Sequence, residues 1–173
     1  MIKNFNLLFL TFLKIGRIKY APGTIASFST CIFFLILDSY FQISTILFIT
    51  IIIFAYSLFA INNTFENFDS KDPQEIVIDE FVGQMLPLLA IPIYETLYPS
   101  SKFFYCFLAF ILFRFFDILK PFPISYIDNN TKGALGIMLD DVVAGIFTII
   151  ILFSLFSFCC LFFPKIEWCI LSS

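Results

Sequence analysis

Long apolar stretches separated by short polar segments dominate the hydrophobic pattern of the chain. A helix that crosses a membrane needs about 20 mainly apolar residues. Five stretches reach or approach that length, over residues 21–37, 39–65, 81–94, 103–119 and 142–163. A further apolar run over residues 4–13 is too short to cross and is typical of a helix lying at the membrane interface. The pattern predicts an all-α, polytopic transmembrane helical bundle of about five spans with a short N-terminal interfacial helix, forming one domain over residues 1–173.

The basic residues divide unevenly between the two ends of these predicted spans. If successive spans alternate in direction, one side collects eight basic residues and the other only Lys102 and Lys165. Loops on the cytoplasmic side of a membrane carry an excess of Lys and Arg, so the first side should be cytoplasmic. We therefore expect a membrane protein with a cytoplasmic N-terminus and an external C-terminus. The eight residues are Lys3, Lys14, Arg17, Lys19, Lys71, Arg114, Lys120 and Lys132.

Composition agrees with a membrane protein and excludes several classes of site. The chain is 60% hydrophobic and 13% charged, whereas soluble domains carry about 25% charged residues. The net charge of −3 and the absence of a basic patch argue against nucleic acid as a partner. The sequence contains no His and no Cys-x-x-Cys spacing, which argues against zinc and against histidine-based phosphatase chemistry. No obligate protein partner is indicated.

The first acidic segment enters an apolar stretch. Asp72 followed by Pro73 predicts a helix start, which would place Asp79 and Glu80 about two turns into the helix. Carboxylates that enter a span are costly, and they usually face a bundle interior or a cavity. Gly83 follows at a helical offset that would let another helix approach the same face closely. A solvated helix start is the alternative interpretation.

A second acidic pair, Asp140 and Asp141, is expected to open the last span. Ala144 and Gly145 follow one helical turn later. Acidic residues at a helix N-terminus are favoured by the helix dipole alone, and this explanation remains open for one pair. It accounts less well for small residues that follow both pairs at helix-packing offsets. The two pairs should lie at one membrane depth, on the cytoplasmic side.

Basic residues accompany these acids on a third segment. Arg114, Asp117 and Lys120 are spaced to share one helix face, and Pro121 should end that helix. Arg114 and Lys120 could bind a phosphate. An ion pair between Arg114 and Asp117 that only neutralises two buried charges is the alternative.

A fourth segment combines a turn with a helix start. Pro22 and Gly23 indicate a turn, and Thr24 could cap the helix that follows. Backbone N–H groups at such a start can hold a phosphate, although the spacing alone favours a plain helix cap.

Carboxylate ligands without His or Cys favour Mg²⁺, Mn²⁺ or Ca²⁺ over Zn²⁺. Two carboxylate pairs at one depth would repel each other unless a cation lay between them. Basic residues on a neighbouring helix indicate an anionic substrate beside that cation. A metal site at the level of the lipid headgroups, next to Arg and Lys, suits the phosphate of a phospholipid.

These four segments together resemble the phosphatidylglycerophosphatase A family. The resemblance rests on the APGT turn, on KDP and IVIDE followed by Gly, on FR..DI.KP.P, and on KG..G.M.DD..AG, which occur in the order that the family shows. It covers roughly residues 16–145, with one departure at Ala26, where many relatives would have Gly. The resemblance implies a small inner-membrane enzyme that removes the phosphate monoester of phosphatidylglycerophosphate, gives phosphatidylglycerol and requires Mg²⁺.

The sequence assigns roles to ten residues on this basis. The metal ligands are Asp79, Glu80, Asp140 and Asp141; the candidate catalytic acids or bases are Asp72 and Asp117; the groups for the substrate phosphate are Arg114, Lys120, Gly23 and Thr24. A phosphatase for another lipid phosphate, an ion-coupled transporter and a non-catalytic membrane subunit are the alternatives.

Overall fold

The computed structural model describes residues 2–64, 75–98 and 100–162. Within these ranges the chain is helical and no strand occurs. The helices are α1 (Ile2–Leu10), α2 (Pro22–Tyr40), α3 (Ile43–Thr64), α4 (Ile78–Leu89), α5 (Ile91–Leu97), α6 (Lys102–Leu119), α7 (Ile124–Asn130) and α8 (Gly133–Phe162), with a 3₁₀ turn at Ile15–Arg17.

Three of the described helices, α2, α3 and α8, are long and apolar enough to cross a membrane. Large apolar side chains such as Phe28, Phe48 and Phe153 are exposed on them, as expected for surfaces that face lipid. The predicted all-α membrane bundle is confirmed, whereas the count of five spans stays a prediction. The stretch predicted as the third span breaks at Ala90 into the short helices α4 and α5, and α6 carries charged residues near both ends.

The helix α4 lies inside the bundle, in contact with α2, α3, α6 and α8. It begins at Ile78, and residues 75–77 are not helical, so the predicted continuous helix from Pro73 to Asp79 and Glu80 is wrong; Pro73 itself lies outside the described residues. Ile76 and Val77 are buried without being helical, and the Val77 backbone N–H donates a hydrogen bond to the Leu10 carbonyl at the end of α1. Tertiary packing therefore holds this segment out of the helix. Asp79 and Glu80 consequently lie in the first turn of α4.

The second predicted helix start is also wrong, in the opposite direction. α8 begins at Gly133, which has a positive φ of 73°. The helix therefore starts seven residues before Asp140, and the mainly apolar residues between them are helical. Asp140 and Asp141 therefore lie about two turns into α8 and do not open it. The helix dipole acts mainly within the first turn, so it does not explain this buried pair.

The helices α4 and α8 cross at two glycines. A Cβ atom added to Gly145 would overlap the Gly83 carbonyl oxygen, and one added to Gly83 would lie 2.7 Å from the Asp141 carbonyl oxygen. Only residues without a side chain permit this backbone approach. The close approach expected at Gly83 is thus confirmed, with α8 as the partner. It sets the first turn of α4 beside the second acidic pair.

Candidate active site

A cavity of about 830 Å³ opens where α4, α6, α7 and α8 meet. Its lining is strongly acidic. Among the described residues, six carboxylates and two ammonium groups line it: Asp79, Glu80, Asp117, Asp128, Asp140 and Asp141, with Lys120 and Lys132. Such an excess of negative charge in a partly buried space calls for bound cations or for protons.

Asp79, Glu80 and Asp141 form the tightest acidic cluster described. One carboxylate oxygen from each lies within 4.8 Å of the other two. Asp141 is almost fully buried, and the buried Oε2 of Glu80 has no hydrogen-bond partner among the residues that the structure describes. Converging carboxylates with an unpartnered buried oxygen fit a hard divalent cation, which prefers oxygen ligands. Three of the four predicted metal ligands are thus brought together.

The fourth predicted ligand, Asp140, lines the same cavity but faces Lys120. Lys120 Nζ donates hydrogen bonds to Asp140 Oδ2 at 2.6 Å and to Asp128 Oδ1 at 2.7 Å. Burial disfavours the charged form of Lys120, but the hydrogen bonds to Asp128 and Asp140 outweigh it and raise the pKa of Lys120 above its usual range. Lys120 therefore stays charged and links α6, α7 and α8.

Lys120 reaches these partners from an unusual backbone conformation. It caps α6 in the left-handed region at a φ of 42°, which costs a residue with a side chain roughly 1–2 kcal/mol. Pro121 follows, as predicted for the end of this helix. The chain then reverses at Pro121 into α7, which brings Asp128 within reach of Lys120.

Arg114 and Asp117 form the ion pair that the sequence left open as structural. Arg114 Nη1 lies 2.6 Å from Asp117 Oδ2, and both side chains are mostly buried. Arg114 Nη1 also donates to Ser27 Oγ at 3.5 Å, while the Nε of Arg114 is buried and has no partner within the described part of the chain. Asp117 lines the cavity, so this pair fixes a carboxylate at the cavity wall.

Pro22 and Gly23, predicted to form a turn before the helix, lie in the first turn of α2, where Gly23 leaves room for the acidic cluster. A Cβ atom on Gly23 would overlap Glu80 Oε1 and lie 3.3 Å from Arg114 Nη1. Gly23 thereby allows both charged groups to approach α2. The predicted capping role of Thr24 is wrong, because α2 begins at Pro22 after Ala21, and no side chain caps it. Thr24 lies in the first turn instead.

Comparison with known proteins decides the family. The family model for Phosphatidylglycerophosphatase A matches residues 8–156. The chain belongs to the phosphatidylglycerophosphatase A family. A Haemophilus influenzae protein named Phosphatidylglycerophosphatase A is 39% identical over 140 residues, covering 81% of this chain and 82% of the relative. An Escherichia coli protein of the same name is 35% identical over 92 residues, or 53% of this chain and 49% of that protein.

A third relative, from Bacteroides thetaiotaomicron, is provisionally named phosphatidylinositol-3-phosphatase. It is 34% identical over 140 residues, covering 79% of this chain and 84% of the relative. No solved structure matches the chain. The match to the phosphatidylglycerophosphatase A family includes all six carboxylates of the cavity.

Two polar residues of the site, Asp128 and Ser27, were not predicted from the sequence. A third residue, Asp72, was predicted to be catalytic, and the structure does not test that prediction. Asp128 was missed because it lies eight residues after Lys120, a spacing that no single helix would bring together; the reversal at Pro121 does so. Ser27 was missed because a Ser inside an apolar helix gives no distinct signal. Asp72, a predicted catalytic residue, lies outside the described residues.

Proposed function

We propose that this chain hydrolyses the phosphate monoester of phosphatidylglycerophosphate to give phosphatidylglycerol, in phospholipid biosynthesis. The observation that carries the proposal is the cluster of Asp79, Glu80 and Asp141 in one acidic cavity. That cavity lies within the region matched by the family. The name of the Haemophilus influenzae relative supports the same substrate.

Mg²⁺ is the cofactor that this cluster suits best. It requires oxygen ligands, and in proteins it is bound by one or two carboxylates together with substrate phosphates. When bound, it would polarise the phosphoryl group and lower the pKa of a coordinated water. Asp79, Glu80 and Asp141 would hold it, and Asp140, which lines the same cavity, is the fourth proposed ligand.

The remaining polar groups of the cavity would orient the substrate and move protons. Lys120 uses two of its three N–H donors on Asp128 and Asp140, which leaves one for a phosphate oxygen. Arg114 holds the carboxylate of Asp117 in one orientation, and this orientation suits Asp117 to proton transfer at the cavity wall. Arg114 is not among the residues that line the cavity. We therefore propose that its main role is to orient Asp117, and that binding of the substrate phosphate is secondary. The backbone at Gly23 and Thr24 would position the headgroup beside Glu80, and Asp72 remains a second proposed acid or base.

We also propose five spans with the cavity on the cytoplasmic side of the inner membrane. Lys102 pairs with Asp38, and its Nζ lies 3.9 Å from Glu95 Oε2. This charged group lies at the ends of α2 and α6 opposite to the cavity. With 18 residues, α6 is about 27 Å long, close to the hydrocarbon thickness of about 30 Å. Charges at both ends of α6, with an apolar middle, suit a helix that crosses.

Reporter fusions at the two termini test this topology. A reporter that is active only in the cytoplasm should be active when fused to the N-terminus and inactive at the C-terminus. A reporter that is active only outside the cytoplasm should show the reverse. Both termini on one side would contradict an odd number of spans.

A panel of lipid phosphates tests the proposed substrate. Purified protein with Mg²⁺ should release phosphate from phosphatidylglycerophosphate with a kcat/KM at least about tenfold above that for phosphatidic acid or a polyprenyl phosphate. Phosphatidylinositol 3-phosphate belongs in the panel because of the Bacteroides thetaiotaomicron relative. A preference for any of the other lipids would replace the proposed substrate, and no release from any of them would argue against a lipid phosphatase.

A further inference from the structure

Phosphatidylglycerophosphate carries two phosphates, and two ammonium groups, those of Lys120 and Lys132, line the cavity. The monoester that is cleaved lies at the far end of the headgroup, and a phosphodiester lies on the other side of the glycerol. A cavity that binds the monoester at the carboxylate cluster must also accommodate the permanent negative charge of the diester. Six carboxylates line this cavity, so the diester would be repelled wherever no positive charge offsets them.

Of the two ammonium groups in the lining, that of Lys132 alone has no ion-pair partner among the described residues. Lys120 is held by Asp128 and Asp140. Lys132 is exposed, and its side chain takes part in none of the ion pairs that join described residues. A Lys beside six carboxylates that pairs with none of them is available to an incoming anion.

The backbone that carries Lys132 is fixed. Thr131 caps the end of α7, and Gly133 begins α8, so Lys132 lies in a two-residue connection between packed helices. A Cβ atom on Gly136 would overlap the Thr131 carbonyl oxygen, which shows that the connection lies directly on the first turn of α8. The region that the Lys132 ammonium group can reach is therefore set by the rotations of its own side chain about a fixed backbone position.

We propose that Lys132 binds the phosphodiester of the substrate and thereby selects lipids that carry a second phosphate beyond the one that is cleaved. The inference rests on the proposed function, because it assigns the recognition of that substrate within the same cavity. The monoester goes to the carboxylate cluster with its cation and to Lys120. Lys132 contacts only the diester, so it contributes to binding and leaves the chemical step unchanged.

Steady-state kinetics of Lys132→Met on phosphatidylglycerophosphate in mixed micelles test this assignment. The KM should rise about tenfold, the loss expected for one charge-assisted hydrogen bond, while kcat stays within about twofold. Lys132→Arg, which keeps the charge, should restore most of the affinity. Lys3→Met, which removes an exposed charge outside the cavity, is the control for general attraction to an anionic lipid surface.

Inhibition separates the two phosphate subsites. Phosphatidylglycerol retains the diester and lacks the monoester, whereas inorganic phosphate stands in for the monoester alone. In Lys132→Met the inhibition constant of phosphatidylglycerol should rise in parallel with KM, and that of inorganic phosphate should not change.

Two results would overturn the assignment: an unchanged KM, whether or not kcat falls, or an equal loss of affinity for both inhibitors. Lys132→Gln provides a second neutral variant should the methionine variant extract poorly from the membrane. A wild-type protein that releases no phosphate from phosphatidylglycerophosphate would instead refute the proposed function itself, so the two failures are distinguishable.

Discussion

Asp79→Asn and Asp141→Asn should each lower the turnover number about a thousandfold while the protein still folds and inserts. Both substitutions keep the size of the side chain and remove one negative charge from the cluster with Glu80. Losing a ligand of a catalytic cation forfeits several kcal/mol of charge stabilisation in the transition state, and each 1.36 kcal/mol is about tenfold in rate. Stability should stay level or rise in the absence of metal, because mutual repulsion of the carboxylates is relieved.

Phosphate release and the amount of detergent-extracted protein have to be measured together. Glu95→Gln is the matched control, since Glu95 lies beside Lys102 at the opposite end of α6, and it should be nearly neutral in both measurements. Were the acids only structural, the Asn variants would lose folded protein and the remainder would work at normal specific activity. Normal specific activity in Asp79→Asn would remove Asp79 from the site.

Gly145→Ala should impair both folding and catalysis, because it adds a methyl group where the backbones of α4 and α8 touch. The added Cβ would overlap the Gly83 carbonyl oxygen, a backbone atom that can move only with its helix. Overpacking of this kind costs about 1–3 kcal/mol. Moving α4 away from α8 also separates Asp79 and Glu80 from Asp141, and a displacement near 1 Å can cost on the order of a hundredfold in rate.

Ser154→Ala, on an exposed face of the same helix, is the control and should behave like the wild type. Thermal unfolding in detergent and phosphate release measure the two effects of Gly145→Ala. A variant with unchanged melting temperature and unchanged kcat would show that this crossing does not position the cluster.

The sequence predicted the helical membrane character and most of the acidic residues of the cavity, because both can be recognised from residues that are neighbours in the sequence. Long apolar stretches require helices in lipid, and carboxylates beside such stretches stand out. The small residues Gly83 and Gly145 also predicted a close helix crossing. That crossing brings Asp79, Glu80 and Asp141 together. Pattern and packing agree at these positions.

The boundaries of α4 and α8 could not be predicted from capping signals. The segment before α4 is held extended by the hydrogen bond between Val77 and Leu10, an interaction between residues far apart in sequence. The chain reversal after Lys120 likewise brings Asp128 to it. As a result the partners of Lys120 were missed, and Asp140, predicted as a metal ligand, was found facing a cation from its own chain. Contacts of this kind depend on tertiary packing, which no local pattern records.

The most direct test of a metal-dependent lipid phosphatase is phosphate release from phosphatidylglycerophosphate by wild-type protein before and after removal of metal. Protein treated with excess EDTA should release almost no phosphate, and addition of Mg²⁺ beyond the chelator should restore the initial rate, because the acidic cluster offers only oxygen ligands, the type that Mg²⁺ prefers. Full activity in excess EDTA, with no metal in the preparation, would contradict the account.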